Sequence, residues 1–517
     1  MEKDNVKKKN GVRVWKCILS VSFIIISVML IYLLFWSNEI FGQLPFSQVL
    51  FHLMVPLEGA DTSITASYFT GVIKWLLLAI GIMAVIGVGY YLSVKFESKF
   101  EKKNIWNAIV RFFIWINKFL VRKMVWIASI FLFITVVVDV YGFGIDEWVK
   151  GRLDSSTIFE EYYVDAAKAD IKAPKKKKNL IYILSESLEA SYSDFENGGC
   201  MDQNYIPNLT KLAKENVHFS RNESLAGAVE VEGTGWTIAA MVAQTSGVPL
   251  MLPIGRNSYG KYDEFLPGIT SLGEILEENG YVNEIVIGSK REFAGVDTYL
   301  EQHGNYKIFD YYTARNEKYV TDHNGFWGVD DVDLMRIAKD EITELAAGDK
   351  PFSIIVNTID LHTPSGYVGS ECEFTHDDTY KNIIECQDRM IAGFVEWCQE
   401  QDFYEDTVIV IAGDHLSMAP VVKNEYVPEK YQRSVYNAII NSDLEPVNPN
   451  NRLFTTMDMF PTILASLGFE IEGDRLGIGT NLYSDKKTVM EIMGKETFKE
   501  EIGKNSKLYN KDILGTR

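Results

Sequence analysis

The chain has 517 residues, more than one typical domain holds, and 47% of them are hydrophobic, enough for a large core. Its formal net charge of −19 is unevenly spread: residues 1–143 carry 15 Lys/Arg against 8 Asp/Glu, so the acidic surplus lies beyond them. That surplus speaks against nucleic acid as a partner, because an acidic surface repels a phosphate backbone.

Three nearly uncharged runs lie near the N-terminus, at about Cys17–Trp36, Trp75–Leu92 and Met124–Tyr141. Each approaches the ~20 residues that a helix needs to cross a bilayer. The first is too long for a signal peptide, and no small-residue cleavage site follows it. Asp139 stands near the end of the third, where its carboxylate can reach an interface. Lys3, Lys7, Lys8, Lys9, Arg13 and Lys16 precede the first run, and Lys95, Lys99, Lys102, Lys103, Arg111, Lys118, Arg122 and Lys123 separate the second from the third. Between the first and second, only Lys74 is basic. The positive-inside rule therefore predicts a cytoplasmic N-terminus and an outward-facing region after residue 143. Ile40–Leu57, broken by Pro45 and Pro56, and Ile105–Phe119, interrupted by Arg111, read as interfacial segments. Residues 1–143 thus form a membrane anchor with three transmembrane helices. A linker over 144–178 follows, and its Lys175–Lys178 run is either solvated or a contact for anionic lipid headgroups.

From Asn179 apolar strands alternate with helices. The strands are expected at Leu180–Leu184, Val282–Ile287, Phe352–Asn357 and Thr407–Ala412, the helices at Pro207–Glu215, Ile269–Asn279 and Asp330–Ala347 among others. This is the pattern of an α/β fold with a mostly parallel sheet between helices. Ligands gather at the carboxyl ends of such strands. The domain is expected to run over 179–483, with a polar C-terminal tail over 484–517. Of five cysteines, Cys17 lies in an apolar run, and Cys200, Cys372, Cys386 and Cys398 show no CxxC spacing. In an oxidising compartment Cys372 and Cys386 could close a short loop; the alternative leaves every thiol free.

Two expected strands end in groups that bind hard cations: Leu180–Leu184 runs into Ser185-Glu186-Ser187, and Thr407–Ala412 into Gly413-Asp414-His415. Converging on one sheet edge, they would offer oxygen and nitrogen ligands to Mn²⁺, Zn²⁺ or Mg²⁺. An acidic residue after a strand is more often a helix cap, but a histidine there is not needed for capping. Glu232-Gly-Thr-Gly-Trp-Thr237 leads into an apolar helical stretch, which places Thr234 at or just before a helix N-terminus. It is either an ordinary cap or a nucleophile, and a threonine hydroxyl attacks at neutral pH only with a metal or base beside it.

Together these stretches resemble the phosphoglycerol transferases of the alkaline phosphatase and sulfatase superfamily. The resemblance rests on Asn179-Leu-Ile-Tyr-Ile-Leu-Ser-Glu-Ser-Leu-Glu189, Ile206-Pro-Asn-Leu-Thr-Lys-Leu212, Gly233-Thr-Gly-Trp-Thr-Ile-Ala-Ala-Met-Val-Ala243, Asp360-Leu-His-Thr-Pro364 and Thr407-Val-Ile-Val-Ile-Ala-Gly-Asp-His415. It covers about residues 179–483 and is nearer to the periplasmic-glucan type than to lipoteichoic acid synthases. The family pattern implies an alkaline phosphatase/sulfatase-like fold and one divalent cation, Mn²⁺ ahead of Mg²⁺ or Zn²⁺. It makes Thr234 nucleophile and ligand, with Glu186, Asp414 and His415 as the other ligands and His362 as a substrate contact. A tryptophan and an arginine near glycerol phosphate in lipoteichoic acid synthases align with Ala294 and Val296 here. Arg291 could replace the missing charge, or be an ordinary surface arginine.

The implied reaction moves phosphoglycerol from phosphatidylglycerol, through phosphoglyceryl-threonine, to a cell-envelope glycan or polymer, releasing diacylglycerol. The implied location is the bacterial cytoplasmic membrane, as a multi-pass protein with its catalytic domain outside. A phosphoethanolamine transferase is the alternative enzyme, and a catalytically silent membrane scaffold the alternative of another class. A sulfatase reaction is disfavoured, since no Cys-x-Pro-x-Arg or Ser-x-Pro-x-Arg stretch is present.

Overall fold

The computed structural model describes residues 2–42, 44–54, 62–96, 105–251, 264–320 and 327–515. Four helices come first: α1 (Glu2–Phe41), α2 (Phe46–Met54), α3 (Thr62–Phe96) and α4 (Ile105–Gly142). Three stretches are long and apolar enough to cross a membrane, Trp15–Phe41, Ile64–Leu92 and Ala108–Gly142, each containing one of the expected runs. Ile105–Phe119 is not a separate interfacial piece. No proline or glycine interrupts residues 105–141, so the segment simply continues into α4. Asp139 is buried, and both carboxylate oxygens lack a hydrogen-bond partner among the described residues.

The chain forms two compact units, one of α3, α4 and most of α1, the other of α2 with everything after Asp146. α2 thus departs from the interfacial reading of Ile40–Leu57, of which residues 43 and 55–57 lie outside the described residues. Phe51 explains the difference. It has no exposed surface and belongs to the same apolar core as the strands of the larger unit. Burying one such ring contributes about 1.5–3 kcal/mol.

The central sheet of that unit has six strands: β1 (Asn179–Ser185), β2 (Val282–Ile287), β3 (Lys307–Phe309), β4 (Phe352–Asn357), β5 (Thr407–Gly413) and β6 (Asn437–Ile440). Their order is β3-β2-β4-β1-β5-β6, parallel throughout except for β6 against β5. Leu180, Tyr182 and Leu184 pack into one apolar cluster while Ile181 and Ile183 pack into another, so both faces are covered. β3 and β6 escape sequence reading because three or four residues show no period.

The linker and tail are more firmly built in than their composition suggests. Lys176 pairs with Asp406, Lys177 donates to the Asn279 carbonyl, and Lys178 donates to the Asn441 carbonyl at 2.9 Å and to Asp443 at 2.8 Å. Most of the lysine run is therefore committed to the domain itself. Over residues 484–515 the polar tail forms short helices, and Phe498, Ile502, Tyr509 and Ile513 are buried in the main core. Charged residues dominate this segment's composition, but its helices still present an apolar face. Cys372 and Cys386 are joined in a disulfide, while Cys17, Cys200 and Cys398 are free.

Candidate metal centre

Ser185 of β1 lies level with Gly413 of β5, so Glu186 and Asp414 leave neighbouring parallel strands at the same edge. Thr358, just past β4, fastens this corner by accepting the Glu186 N–H at 2.9 Å. Asp414 spends Oδ1 on the N–H groups of Ser187 and His415, at 2.8 and 2.7 Å. Its Oδ2 then faces His415 Nε2 at 3.3 Å, with Glu186 Oε1 3.7 Å from the same nitrogen. All three side chains are buried, and one ligand atom from each lies within 4.8 Å of the others. His415 Nδ1 stands 3.0 Å from the Leu416 carbonyl. Only an N–H can bond there, so the neutral ring keeps its Nε2 lone pair towards the two acids.

Burial, reinforced by Glu186, pushes the Asp414 carboxyl up to about 8 against the pull of His415. For His415 burial works against the charged form, yet Asp414, Glu186 and Glu230 prevail and raise it to about 9. Asp414 Oδ2 and His415 Nε2 have no hydrogen-bond partner among the described residues. Glu186 also accepts the Ser187 hydroxyl at 2.6 Å, but two buried acids whose one basic partner among the described residues is an imidazole are costly, by several kcal/mol per uncompensated charge. An oxygen, oxygen, nitrogen donor set aimed at one point suits a divalent cation, so the residues present fit the group.

Thr234 is buried on the loop before α5 (Thr237–Ser246). The capping role does not fall to it, since Trp236 occupies the N-cap position. Its hydroxyl donates to the Val231 carbonyl at 2.9 Å and accepts the Val231 N–H at 3.1 Å. Gly233 takes a φ of 78°, which favours glycine, and a Cβ on Gly235 would crowd the Glu230 carboxyl at 3.0 Å. The loop is tied to the ligand segments on either side of Thr234. Glu230 accepts the Leu416 N–H at 2.8 Å, and the Thr237 hydroxyl donates to Glu186 at 3.4 Å.

His362 follows β4 at the same sheet edge, with Nδ1 2.9 Å from the Thr363 carbonyl and its ring 4.4 Å from that of Trp327. Ala294 and Val296 are both buried, and the aromatic ring at that corner belongs to Phe293, 5.3 Å from Trp327. Arg291 is partly exposed and held from one side: Nε lies 3.3 Å from Asp310 and Nη2 2.9 Å from the Ile308 carbonyl. Sequence reading gave no role to Glu230, Phe293 or Trp327, and none to Thr237 beyond its place in the Glu232–Thr237 stretch; Glu230 and Phe293 stand next to recognised positions, whereas Trp327 stands near none. A cavity of about 720 Å³, lined by Lys214, His218 and Asn441 among others, includes none of the metal-centre residues.

Comparison with known proteins adds three findings. Residues 178–469, more than half of the chain, match the sulfatase family. Phosphoglycerol transferase I from Xanthomonas campestris pv. campestris is 28% identical over 471 residues, covering 89% of this chain and 61% of the relative. Its counterpart from Escherichia coli is 31% identical over 352 residues, covering 66% and 43% respectively. The chain thus spans about three fifths or less of the length of these relatives. Among solved structures, the integral membrane protein lipooligosaccharide phosphoethanolamine transferase A from Neisseria meningitidis superposes with a TM-score of 0.50 at 14% identity, covering 87% of this chain and 84% of that one.

Proposed function

The chain belongs to the sulfatase family, and on that premise we propose that it transfers phosphoglycerol from phosphatidylglycerol to a hydroxyl of a cell-envelope glycan or polymer. The relatives named phosphoglycerol transferase I support this choice of group. Family membership alone would not, since one fold serves many reactions. The observation that carries the reading is the buried Glu186–Asp414–His415 cluster with its unpaired donor atoms, tied to the Thr234 loop through Glu230 and Thr237.

Thr234 is the proposed nucleophile. Its oxygen bonds to phosphorus, its proton leaves, and the bond from phosphorus to the diacylglycerol oxygen breaks, with that oxygen taking up a proton. The acceptor hydroxyl then bonds to phosphorus, the threonyl oxygen departs and is reprotonated, and no water is consumed. Glu186, Asp414, His415 and Thr234 would hold one divalent cation, for which Mn²⁺ is our choice over Mg²⁺ or Zn²⁺. Bound there, such an ion neutralises charge on phosphoryl oxygens and favours ionisation of a nearby hydroxyl. His362 contacts the substrate from the end of β4. In this reading Trp15–Phe41, Ile64–Leu92 and Ala108–Gly142 anchor the chain in the cytoplasmic membrane, with the site facing outward beside its lipid donor.

The test uses the full chain in vesicles containing fluorescent phosphatidylglycerol, with Mn²⁺ supplied. Diacylglycerol should be released, and intact mass should show a phosphoglycerol adduct. Thr234→Ala should lower the rate by at least about 10³-fold. Release that survives this substitution removes Thr234 from the mechanism, and preference for phosphatidylethanolamine replaces the transferred group.

A further inference from the structure

Ile40 lies at the end of one stretch apolar enough to cross a membrane and residues 44–54 lead towards the next, yet they touch several of the loops around the candidate site. The Ile40 carbonyl accepts the hydroxyl proton of Thr363, next to His362, at 3.0 Å. Gln48 Nε2 donates to Met418, three residues past His415, at 3.2 Å. The Phe51 ring lies 5.7 Å from that of Trp236, two residues past Thr234. His52, one position on, stands 6.3 Å from Phe293. Beyond Phe293 come Trp327 at 5.3 Å and then His362, 4.4 Å from Trp327. Two imidazoles thus flank a pair of aromatic rings beside the proposed nucleophile's loop.

The chemistry of His52 is settled by its partner. Nδ1 lies 2.9 Å from the Gln48 carbonyl one helical turn back, so Nδ1 carries the proton and donates it. No hydrogen bond among the described residues uses Nε2. Burial lowers the pKa of His52, the Gln48 carbonyl opposes this and His362 adds to the lowering, so the ring stays neutral. A neutral Nε2 is a hydrogen-bond acceptor, and a substrate hydroxyl is the donor it suits. Aromatic rings alongside suit the C–H faces of a polyol.

Resting on the transferase reading above, we propose that His52 binds a hydroxyl of the substrate, either on the glycerol headgroup of the donor or on the sugar that receives it. α2 is accordingly a wall of the site. The position partly compensates for Ala294 and Val296, which bring no polar group to that corner.

The experiment compares full-length wild type, His52→Phe and His52→Gln in vesicles. Diacylglycerol release from phosphatidylglycerol is measured without acceptor and with a soluble β-glucan oligosaccharide. Phenylalanine keeps a ring against Phe293 but removes the acceptor; the amide oxygen of glutamine can replace Nε2. His52→Phe should raise one KM by about tenfold while Mn²⁺ binding and thermal stability stay at wild-type values, and His52→Gln should recover most of the loss. A rise in the phosphatidylglycerol KM at saturating glucan assigns the hydroxyl to glycerol, and a rise confined to the glucan KM assigns it to the sugar. Unchanged KM values for both substrates in His52→Phe overturn the proposal. So does an equal loss in both variants with a matching fall in stability, which marks a packing residue. Wild-type protein inert towards phosphatidylglycerol overturns the transferase reading itself, and His52's role with it.

Discussion

Glu186 and Glu189 stand three residues apart and are both buried, yet the molecule treats them in opposite ways. Glu189 is fully answered from within. Arg433 donates to both of its oxygens, Nε at 2.9 Å, and the Ser417 N–H and the Ser191 hydroxyl add bonds at 2.8 and 2.5 Å. Glu186 accepts the Ser187 and Thr237 hydroxyls but faces Asp414 and His415, where Asp414 Oδ2 and His415 Nε2 have no hydrogen-bond partner among the described residues. A buried acid held by an arginine is architecture; a buried acid cluster matched only by an imidazole is, in the proposed reading, a receptor for a cation from outside.

The largest test of this contrast is stability without added metal. Arg433→Met strands a buried carboxylate and should cost about 3–5 kcal/mol in denaturant unfolding. Asp414→Asn keeps an Oδ1 for the Ser187 and His415 N–H groups and removes a titratable carboxyl from beside Glu186. It should leave the cation-free protein as stable as wild type or more so. Equal losses in the two variants would erase the distinction between the regions.

Next in size is the gain from the cation. At about 100 times its dissociation constant, Mn²⁺ should stabilise the wild type by about 2.7 kcal/mol, read as a rise in melting temperature. Asp414→Asn should gain far less, and Glu189 should be indifferent to the ion. A gain of the same size in Asp414→Asn would move the binding site elsewhere.

The smallest effect concerns protons. Without metal, Asp414 is raised to about 8 and His415 to about 9, both above their ordinary values, so each tends to hold a proton at neutral pH. A cation must displace those protons, so its affinity should climb as pH rises towards 8, by up to about tenfold per unit for each proton released. Calorimetry in buffers of different ionisation enthalpy reads that release directly. An affinity that does not change with pH would mean that these groups are already deprotonated without the ion.

Much of this was legible in the chain. β2, β4 and the helix Pro207–Glu215 fall on the expected residues, because long apolar runs and a leading proline mark them locally. The cluster of Glu186, Asp414 and His415 was readable because each follows directly on such a run, and parallel neighbours must deliver their ends to one edge. α2 was not readable. A short helix with an apolar face between prolines looks the same whether lipid headgroups or protein cover it, and only Phe51 in the core decides. Composition likewise did not show that the tail helix Lys495–Ile502 buries Phe498 and Ile502, because it averages over faces that packing separates.

Local order was therefore settled by the chain alone, namely which segments are strands, which can span a membrane, and which side chains leave the strand ends. Packing between distant segments decided the rest. It set Arg433 against Glu189, brought His52, Phe293, Trp327 and His362 to one corner, and left two donor atoms at the metal centre unanswered. The physical reason is that periodicity and propensity act between neighbours in sequence, whereas the compensation of a buried charge depends on whatever the fold places beside it.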